Sequence, residues 1–159
     1  MDGFLIREAE AADREQIGLL WLYQMRFHQR RDSRFSIPQD GCQQYEKRVA
    51  ELIRSRDGKV LVAQDVASSE VVAYIMGEIK DRPSIGIDGA FGFVSDLYVM
   101  EEWRRVGLGR SLFVELRKWF VSRGVSAVEL YVSERNPAAV EFWQELGLQK
   151  YLLLMHLDL

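Results

Sequence analysis

The sequence predicts one α/β (α+β) domain in which a mixed, mostly antiparallel sheet is flanked by helices. Three observations lead to this prediction. The chain has 159 residues, the usual size of one domain, so we expect a single unit over 1–159. Three β-rich runs follow one another in the middle, which indicates hairpins. The last half alternates strands and helices, so the sheet is not expected to be purely antiparallel.

The first half of the chain is predicted to contain one strand and then two helices. Residues 4–9 are typical of a short strand. Asp13 and Gln16 have the spacing of a capping box at the start of a helix. Turn-forming residues fill 32–41, and a second helix follows over about 43–53. The first helix has apolar positions at helical spacing: Ile17, Leu20, Trp21 and Met25.

The centre of the chain supplies three strands. The β-rich runs over 59–64 and 71–79 are separated by a turn around Ser68 and Ser69. A loop rich in Gly and Pro over 82–89 precedes the next strand, over 91–99.

The second half contains the clearest helix, over 108–123, which Gly124 ends. A strand over 128–132, a helix over 137–146 and a last strand over 151–157 complete the order β-α-α-β-β-β-α-β-α-β. The last strand is apolar enough to be buried or to form a dimer, so a homodimer stays open. The clearest helix has one apolar face: Leu108, Leu112, Leu116 and Phe120.

Composition argues against several classes of function. The formal net charge of −3 gives no general attraction for nucleic acid. No apolar run approaches the roughly 20 residues that span a membrane, and no signal-peptide pattern is present, so we expect a cytoplasmic protein. Cys42 is the only cysteine, and the two histidines, His28 and His156, are distant in sequence, so no metal site is expected.

The sharpest local pattern is the run RRVGLGRS over residues 104–111, between a strand and the strong helix. A helix start offers unpaired N–H groups and partial positive charge, and glycines allow a ligand to approach the backbone. The run therefore predicts a pyrophosphate site, with a merely flexible loop as the alternative. Two other phosphate motifs fit poorly: a Walker loop needs Lys where Arg110 stands, and a dinucleotide fingerprint needs Gly where Leu112 stands.

The wider context resembles the GNAT superfamily of acetyl-CoA-dependent N-acetyltransferases. Asp96–Val99 followed by Arg104-x-x-Gly107-x-Gly109 looks like its acetyl-CoA signature, and Asn136–Leu148 is similar to its second block. The resemblance covers about 93–148 strongly and the rest in element order only. It implies the GNAT fold, with splayed fourth and fifth strands.

The resemblance implies that acetyl-CoA is the acyl donor and that its arm lies in the gap between the splayed strands, pairing with the backbone there like an added strand. A bulge in this segment would free the N–H of Val99 to polarise the thioester carbonyl. Asn136 would bond the arm, with a plain helix N-cap as the alternative. The donor-binding residues are then: Leu97, Tyr98, Val99, Arg104, Arg105, Val106, Gly107, Leu108, Gly109, Arg110, Ser111, Asn136 and Trp143.

The catalytic expectations are Asp96, Val99 and Tyr98. A protonated amine must lose a proton before it attacks, so a base is needed. Asp96 is the first candidate and Glu78 the second, with an exposed carboxylate as the alternative reading of each. Trp143 stands where the family often has a tyrosine that protonates the leaving thiolate, and indole cannot do this.

Three tyrosines are substitutes for that missing acid: Tyr98, Tyr131 and Tyr151. No nucleophile is evident, so we expect direct transfer to a small-molecule or peptide amine. Specificity is expected in the loops over 25–45 and 81–90. Two rival functions stay open: a non-catalytic acyl-CoA sensor or interaction domain of the same fold, and a different phosphate-binding enzyme that uses the Gly107 loop.

Overall fold

The computed structural model describes residues 3–82 and 89–157. Its strands are β1 (Phe4–Glu8), β2 (Gly58–Asp65), β3 (Val71–Asp81), β4 (Ala90–Val99) and β5 (Val128–Leu130). Its helices are α1 (Arg14–Gln29), α2 (Gly41–Arg54), α3 (Leu108–Ser122) and α4 (Pro137–Glu145). Short 3-10 turns precede α1 and follow β4, at Ala11–Asp13 and Glu101–Trp103.

The five strands form one sheet in the order β1-β2-β3-β4-β5. The first three pairings are antiparallel, and β4 pairs with β5 in parallel. This is the mixed, mostly antiparallel sheet that the sequence predicts. The predicted loop over 82–89 lies mainly outside the described residues, because only its two ends are described.

Two apolar cores cover the two faces of the sheet. α1 and α2 supply one core, in which Ile17 and Val49 are fully buried. α3 and α4 supply the other, and the predicted apolar face of α3 lies in it. Phe120 reaches the sheet because Gly77 and Gly92 leave room: a Cβ on either would lie 2.8 Å or 2.7 Å from its ring.

The start of α1 differs from the predicted capping box. Asp13 accepts the backbone N–H of Glu10 at 2.7 Å and two hydrogen bonds from Arg7 at 2.6 and 2.8 Å. Gln16 instead accepts the N–H of Val71 at 2.7 Å. The spacing was misleading because Asp13 is satisfied by residues that precede it, Arg7 and Glu10, and Gln16 by the start of the distant strand β3.

The predicted last strand is wrong for this structure. Residues 151–157 form no strand, and every one of them is exposed. A strand needs a partner edge as well as an apolar sequence, and this segment pairs with no strand in the described parts of the chain. The neighbouring strand β5 is also shorter than predicted, because it ends at Leu130 and not at residue 132.

Candidate active site

The strands β4 and β5 separate next to the predicted signature. β5 pairs with β4 only across Gly92–Val94. Further along β4, residues 96–99 continue to pair with β3 on the other side. The edge of β4 that follows Val94 therefore faces a gap, as expected for splayed strands.

The backbone of Val99 points into this gap. In an antiparallel ladder, alternate residues turn their N–H and C=O toward the partner strand. Met100 donates to the carbonyl of Val72 at 3.0 Å, so Val99 turns the other way. Its carbonyl accepts from Arg104 Nε at 2.9 Å instead. The same alternation turns the backbone of Leu97 toward the gap.

A bulge at Ser95 decides which side chains face which core. Met76 pairs with Asp96 and Gly77 with Val94, so Ser95 is the extra residue. Val94 is buried on the α3 face, whereas Asp96 contacts α1 on the opposite face. The bulge expected within 97–99 thus lies earlier. Without it Asp96 would share the apolar face of Val94, where a carboxylate has no partner.

Asp96 belongs to a polar cluster that the sequence reasoning missed. Gln24 Nε2 donates to Asp96 Oδ1 at 3.4 Å, and Gln24 Oε1 accepts from the Tyr74 hydroxyl at 2.8 Å. The hydroxyls of Tyr74 and Tyr45 lie 3.2 Å apart. The sequence did contain a signal for this cluster. Tyr45 on α2 and Tyr74 on β3 stand at positions where the spacing of apolar residues predicts burial, so two hydroxyls were to be expected inside the protein.

The protonation of this cluster is set by burial. Burial raises the pKa of Asp96 to about 6, although hydrogen bonds from Tyr45 and Gln24 and the charge of Arg48 oppose the rise. Burial also raises the pKa of Tyr45 and Tyr74 well above the usual value. At neutral pH the tyrosines are therefore donors and Asp96 is mainly a carboxylate.

The second candidate base, Glu78, is held by two cations. Arg48 Nη2 and Lys80 Nζ lie 3.0 and 3.2 Å from its Oε1. Its negative charge is therefore already balanced, in contrast to that of Asp96, whose nearest partners are neutral.

Of the three candidate acids, Tyr98 is on the same strand as Asp96, two residues further on and so on the same face. Its ring is 5.7 Å from the guanidinium carbon of Arg104, which is also 5.9 Å from the ring of Phe27. Burial raises the pKa of Tyr98. Tyr131 and Tyr151 are 82% and 62% exposed and lie beyond β5 and α4.

The loop before α3 has the backbone form expected of an anion cradle. Arg105 and Gly107 adopt positive φ angles of 64° and 84°. The N–H of Ser111 donates to the carbonyl of Gly107 at 3.0 Å, which leaves the N–H groups of residues 108–110 without helical partners. A Cβ on Gly107 would meet nothing within 4 Å. The cradle is open, and its donors are backbone groups.

The side chains of the cradle divide into core and surface. Leu108 is buried, so only its backbone can meet a ligand, whereas Arg105, Val106 and Arg110 are exposed. Arg110 lies 3.9 Å from Glu145, a weak exposed pair. Gly109 packs closely, because a Cβ there would lie 3.3 Å from Phe142 and 3.6 Å from Val99. This contact joins α3 to α4 and to the gap.

Asn136 caps α4 as the alternative reading expected. Its Oδ1 accepts the N–H of Ala139 at 3.3 Å, and Pro137 follows at the first helical position. The cap uses the amide oxygen, so the Nδ2 group is the end with donors to offer.

The model of the acetyltransferase (GNAT) family matches residues 7–148. The chain belongs to the GNAT acetyltransferase family. The polar cluster, the gap and the cradle described above all lie within the matched residues.

Curated relatives of this GNAT chain resemble it over part of their length. It is 32% identical over 87 residues to L-ornithine N5-acetyltransferase NATA1 of Arabidopsis thaliana, covering 55% of this chain and 38% of that protein. It is 41% identical over 66 residues to a mycothiol acetyltransferase of Thermobispora bispora, covering 42% and 22%. The chain thus spans less than half of the length of these relatives.

Solved structures match over nearly the whole chain. The tetramutant of BH1408 protein from Bacillus halodurans has a TM-score of 0.86 at 25% identity, covering 98% of this chain and 99% of that one. The aminoglycoside N-acetyltransferase AAC(6')-Iy in complex with CoA has a TM-score of 0.75 at 15% identity, covering 98% and 93%. The second likeness concerns the fold alone.

Trp143 of this GNAT chain is a core residue. It is 8% exposed, and its ring lies edge-on to Phe113 at 5.4 Å and to Phe142 at 4.9 Å. Phe142 in turn lines the start of α3 through its contact with Gly109. Trp143 therefore packs behind Phe142, and its indole N–H is not acidic enough to protonate a thiolate.

A second polar feature missed from the sequence joins the loop after α1 to the loop before α4. Asp32 is buried and accepts from Arg34 at 2.9 and 2.6 Å. Arg135 lies 3.5 Å from the same carboxylate and donates to the Arg31 carbonyl at 3.3 Å. These bonds hold the pKa of Asp32 well below its usual range. We call Asp32, Arg34 and Arg135 the loop latch.

Two further expectations concern absences. Among residues 3–82 and 89–157, no group of three or more His, Cys, Asp or Glu side chains is placed to hold a metal ion. In the same part of the chain, none of the helices combines the length and the apolar character that crossing a bilayer requires.

Proposed function

We propose that this chain is an N-acetyltransferase that moves the acetyl group of acetyl-CoA directly to a primary amine of a small-molecule or peptide acceptor. The observation that carries the proposal is the open edge of β4, which leads to the cradle at the start of α3 and has Asp96 beside it. The name of the relative from Arabidopsis thaliana, an ornithine N5-acetyltransferase, supports an amine acceptor.

Binding of the donor would rest mainly on backbone groups. The N–H groups of residues 108–110 and the positive end of α3 suit a pyrophosphate, and Arg105 and Arg110 add charge from the surface. The outward backbone of Leu97 and Val99 suits the amides of an extended arm. The Nδ2 group of Asn136 is a further donor at the other side of the gap.

Val99 would stabilise the reaction through its N–H. The N–H of Val99 points away from β3. The side chain of Arg104 binds only the carbonyl of Val99, so it does not occupy the N–H. A fixed donor aimed at the carbonyl oxygen of the acetyl group favours the charge that develops there during attack. No reorganisation of the protein is needed at that moment, because the ladder already holds the strand.

Asp96 would accept the proton of the attacking amine, directly or through one water. With a pKa of about 6 it is mostly ionised at neutral pH, yet more basic than an ordinary aspartate. Glu78 is less suited, because Arg48 and Lys80 already bind its oxygen.

Departure of the thiolate would not depend on Trp143. A thiol with a pKa of roughly 8.5 leaves tolerably without protonation. Tyr98 is the one candidate acid that lies on the strand of Asp96 and Val99, so we assign it the role of assisting departure. Direct transfer also follows the expectation from the sequence, in which no nucleophile is evident.

The first test is a calorimetric titration with acetyl-CoA, with ATP and NAD as controls. We expect selective binding of acetyl-CoA in the micromolar range. Binding of ATP or NAD without binding of acetyl-CoA would instead favour the rival function, a different phosphate-binding enzyme. No binding would remove the proposed donor site.

The second test measures release of free CoA thiol in the presence of a panel of amines. Turnover with an amine, and a matching acetylated product by mass spectrometry, would support transfer. Binding of acetyl-CoA without turnover on any amine would favour the non-catalytic sensor or interaction domain. One specific observation favours that alternative: Trp143 stands where the family often has a tyrosine.

A further inference from the structure

The sheet face that carries Asp96 changes character beside that residue. On β3, every residue from Val71 to Gly77 is buried, and the strand becomes accessible from Glu78 onward. Met76 is the last residue of this strand in the core that α1 and α2 supply, and it pairs with Asp96 on β4. The helical cover of this face therefore ends next to Asp96, and an accessible stretch of sheet follows.

This accessible stretch has a positive charge in excess. Glu78 and Lys80 face the same side because alternate residues of a strand do so. Arg48 of α2 and Lys80 lie 3.0 and 3.2 Å from the same oxygen of Glu78, so two cations share one carboxylate. Their side chains are 47% and 41% exposed, which leaves donors within reach of a ligand. Arg82, the next cation along, pairs with Glu129.

An aromatic surface lies between these cations and Asp96. Phe93 pairs with Glu78 in the ladder, and the bulge that follows it places Asp96 on the same face. The ammonium of Lys80 is 3.9 Å from the centroid of the Phe93 ring, and Tyr131 meets that ring edge-on at 5.4 Å. A carbon chain that runs from Asp96 to the cations would therefore lie on apolar surface.

The ladder sets the separation of the two polar ends. Asp96 lies opposite Met76, and Glu78 follows two residues later on β3. Since a strand rises about 3.4 Å per residue, the cations around Glu78 lie about 7 Å beyond Asp96. One molecule that reaches both ends must carry its amine and its anionic group several bonds apart. An amino acid with both groups on one carbon is too short.

We propose that the acceptor is a zwitterion of this shape, a small molecule with a terminal primary amine and a carboxylate that is separated from it by about four or five carbons. The amine lies at Asp96, the carbon chain on Phe93, and the carboxylate between Arg48 and Lys80, whose charge it neutralises. The inference rests on the proposed function and narrows its acceptor from any primary amine to an ω-amino acid.

The bonds that change are those of the proposed transfer. One proton of the ammonium group passes to Asp96, and the free amine attacks the thioester carbonyl. The C–N bond forms as the C–S bond breaks, and the second proton ends on the sulfur of CoA. The acceptor carboxylate takes no part in these steps, so it acts on binding and on orientation.

Three amines with the same chain length test the inference in the thiol-release assay: 5-aminopentanoate, pentylamine and 1,5-diaminopentane. They differ only in the far end, which is a carboxylate, a methyl group or an ammonium group. We expect kcat/KM for 5-aminopentanoate to exceed that of the other two by roughly tenfold or more, because charge-assisted hydrogen bonds hold its carboxylate. Equal use of the three amines, or a preference for the diamine, would overturn the inference.

Variants then locate the anion site. Lys80→Gln and Arg48→Gln should each bring the ratio of kcat/KM between 5-aminopentanoate and pentylamine several-fold closer to one. The ratio is the readout because Arg48 also lowers the pKa of Asp96, which affects both amines alike. Lys47→Gln is the control: Lys47 precedes Arg48 on α2 and loses the same charge, but it lines a different groove with Glu51. A ratio that survives both Lys80→Gln and Arg48→Gln would contradict the placement.

Ligand-observed NMR separates a failure of this inference from a failure of the proposed function. Binding of 5-aminopentanoate that Lys80→Gln weakens, without turnover of any amine, would support the anion site and contradict transfer. Turnover of pentylamine and 5-aminopentanoate with equal kcat/KM would support transfer and contradict the anion site. Neither binding nor turnover of 5-aminopentanoate would contradict both.

Discussion

The residue that most shapes the proposed chemistry is Asp96. Burial raises the pKa of its carboxyl because it removes the charge from water, while hydrogen bonds from Tyr45 and Gln24 limit the rise. The balance leaves a group that changes protonation near pH 6. The proposed mechanism therefore predicts a pH dependence that is set by this one side chain.

We expect Asp96→Asn to lower kcat by roughly 10²–10⁴-fold and to leave the Kd for acetyl-CoA nearly unchanged. In the wild type, kcat/KM should rise as pH rises through about 6, because the ionised form is the active one. The variant should lack this limb. Thiol-release kinetics across pH and calorimetry measure the two effects. An unchanged limb in the variant would remove Asp96 from the mechanism.

The hydroxyl of Tyr45 provides a finer test. It lowers the pKa of Asp96, so Tyr45→Phe should move the acid limb of kcat/KM to higher pH. The control is Tyr23→Phe, since Tyr23 lies on α1 and is 39% exposed. Asp32 cannot be the source of such a limb, because its pKa is held well below the usual range. A limb that stays in place after Tyr45→Phe would argue that another group titrates.

At the scale of elements, α3 has a glycine at positive φ at each end. Gly107 precedes its first turn and Gly124 follows its last, with φ angles of 84° and 76°. A Cβ on either would meet nothing within 4 Å. A side chain at either site therefore has the same backbone penalty and the same open space, but only one site is in the cradle.

We expect Gly107→Glu to abolish detectable binding of acetyl-CoA, because it places a carboxylate where the pyrophosphate would lie. Gly124→Glu should bind as the wild type does. Both variants should lose a similar stability, about 1–2 kcal/mol, from the left-handed backbone. Calorimetry and urea unfolding measure these quantities, and equal affinities of the two variants would refute the placement of the pyrophosphate.

The loop latch makes a prediction for the loop that leads into α4. Arg135→Gln removes the ion pair to Asp32 next to Asn136. If Asn136 binds the donor, the looser loop of Arg135→Gln should raise the Kd for acetyl-CoA several-fold. Glu134→Gln, on the same exposed loop, should leave that Kd unchanged. Calorimetry on both variants decides, and a wild-type Kd for Arg135→Gln would show that the latch serves only the fold.

For the whole molecule, the contact of Phe120 with the sheet couples the α3 core to the strands. Gly92→Ala would place a Cβ 2.7 Å from a ring that is fully buried. We expect a loss of about 1–3 kcal/mol in the free energy of unfolding from overpacking. Gly3→Ala is the control, because its Cβ would be 3.7 Å from the nearest atom. Urea unfolding with no difference between the two would mean that the core relaxes freely.

The family and the order of elements as far as α4 followed from local patterns. The apolar face of α3 recurs at every fourth residue, and the structure buries all four of its predicted members. The signature around Gly107 combines residues that are close in sequence, and the match to the family over 7–148 confirms the resemblance that it indicated. Features of this kind are readable because helical spacing and turn chemistry depend on neighbours along the chain.

Other features needed the folded chain. Three of these features join residues that are distant in sequence: the β-bulge at Ser95, the hydrogen bonds of Asp96 and the loop latch at Asp32. The segment 151–157 has the composition of a strand, yet it forms none here because no edge pairs with it. The sequence by itself determined the family and the mixed, mostly antiparallel sheet. Only the tertiary structure decided which charges are buried, because burial and pairing depend on what packs across from each residue.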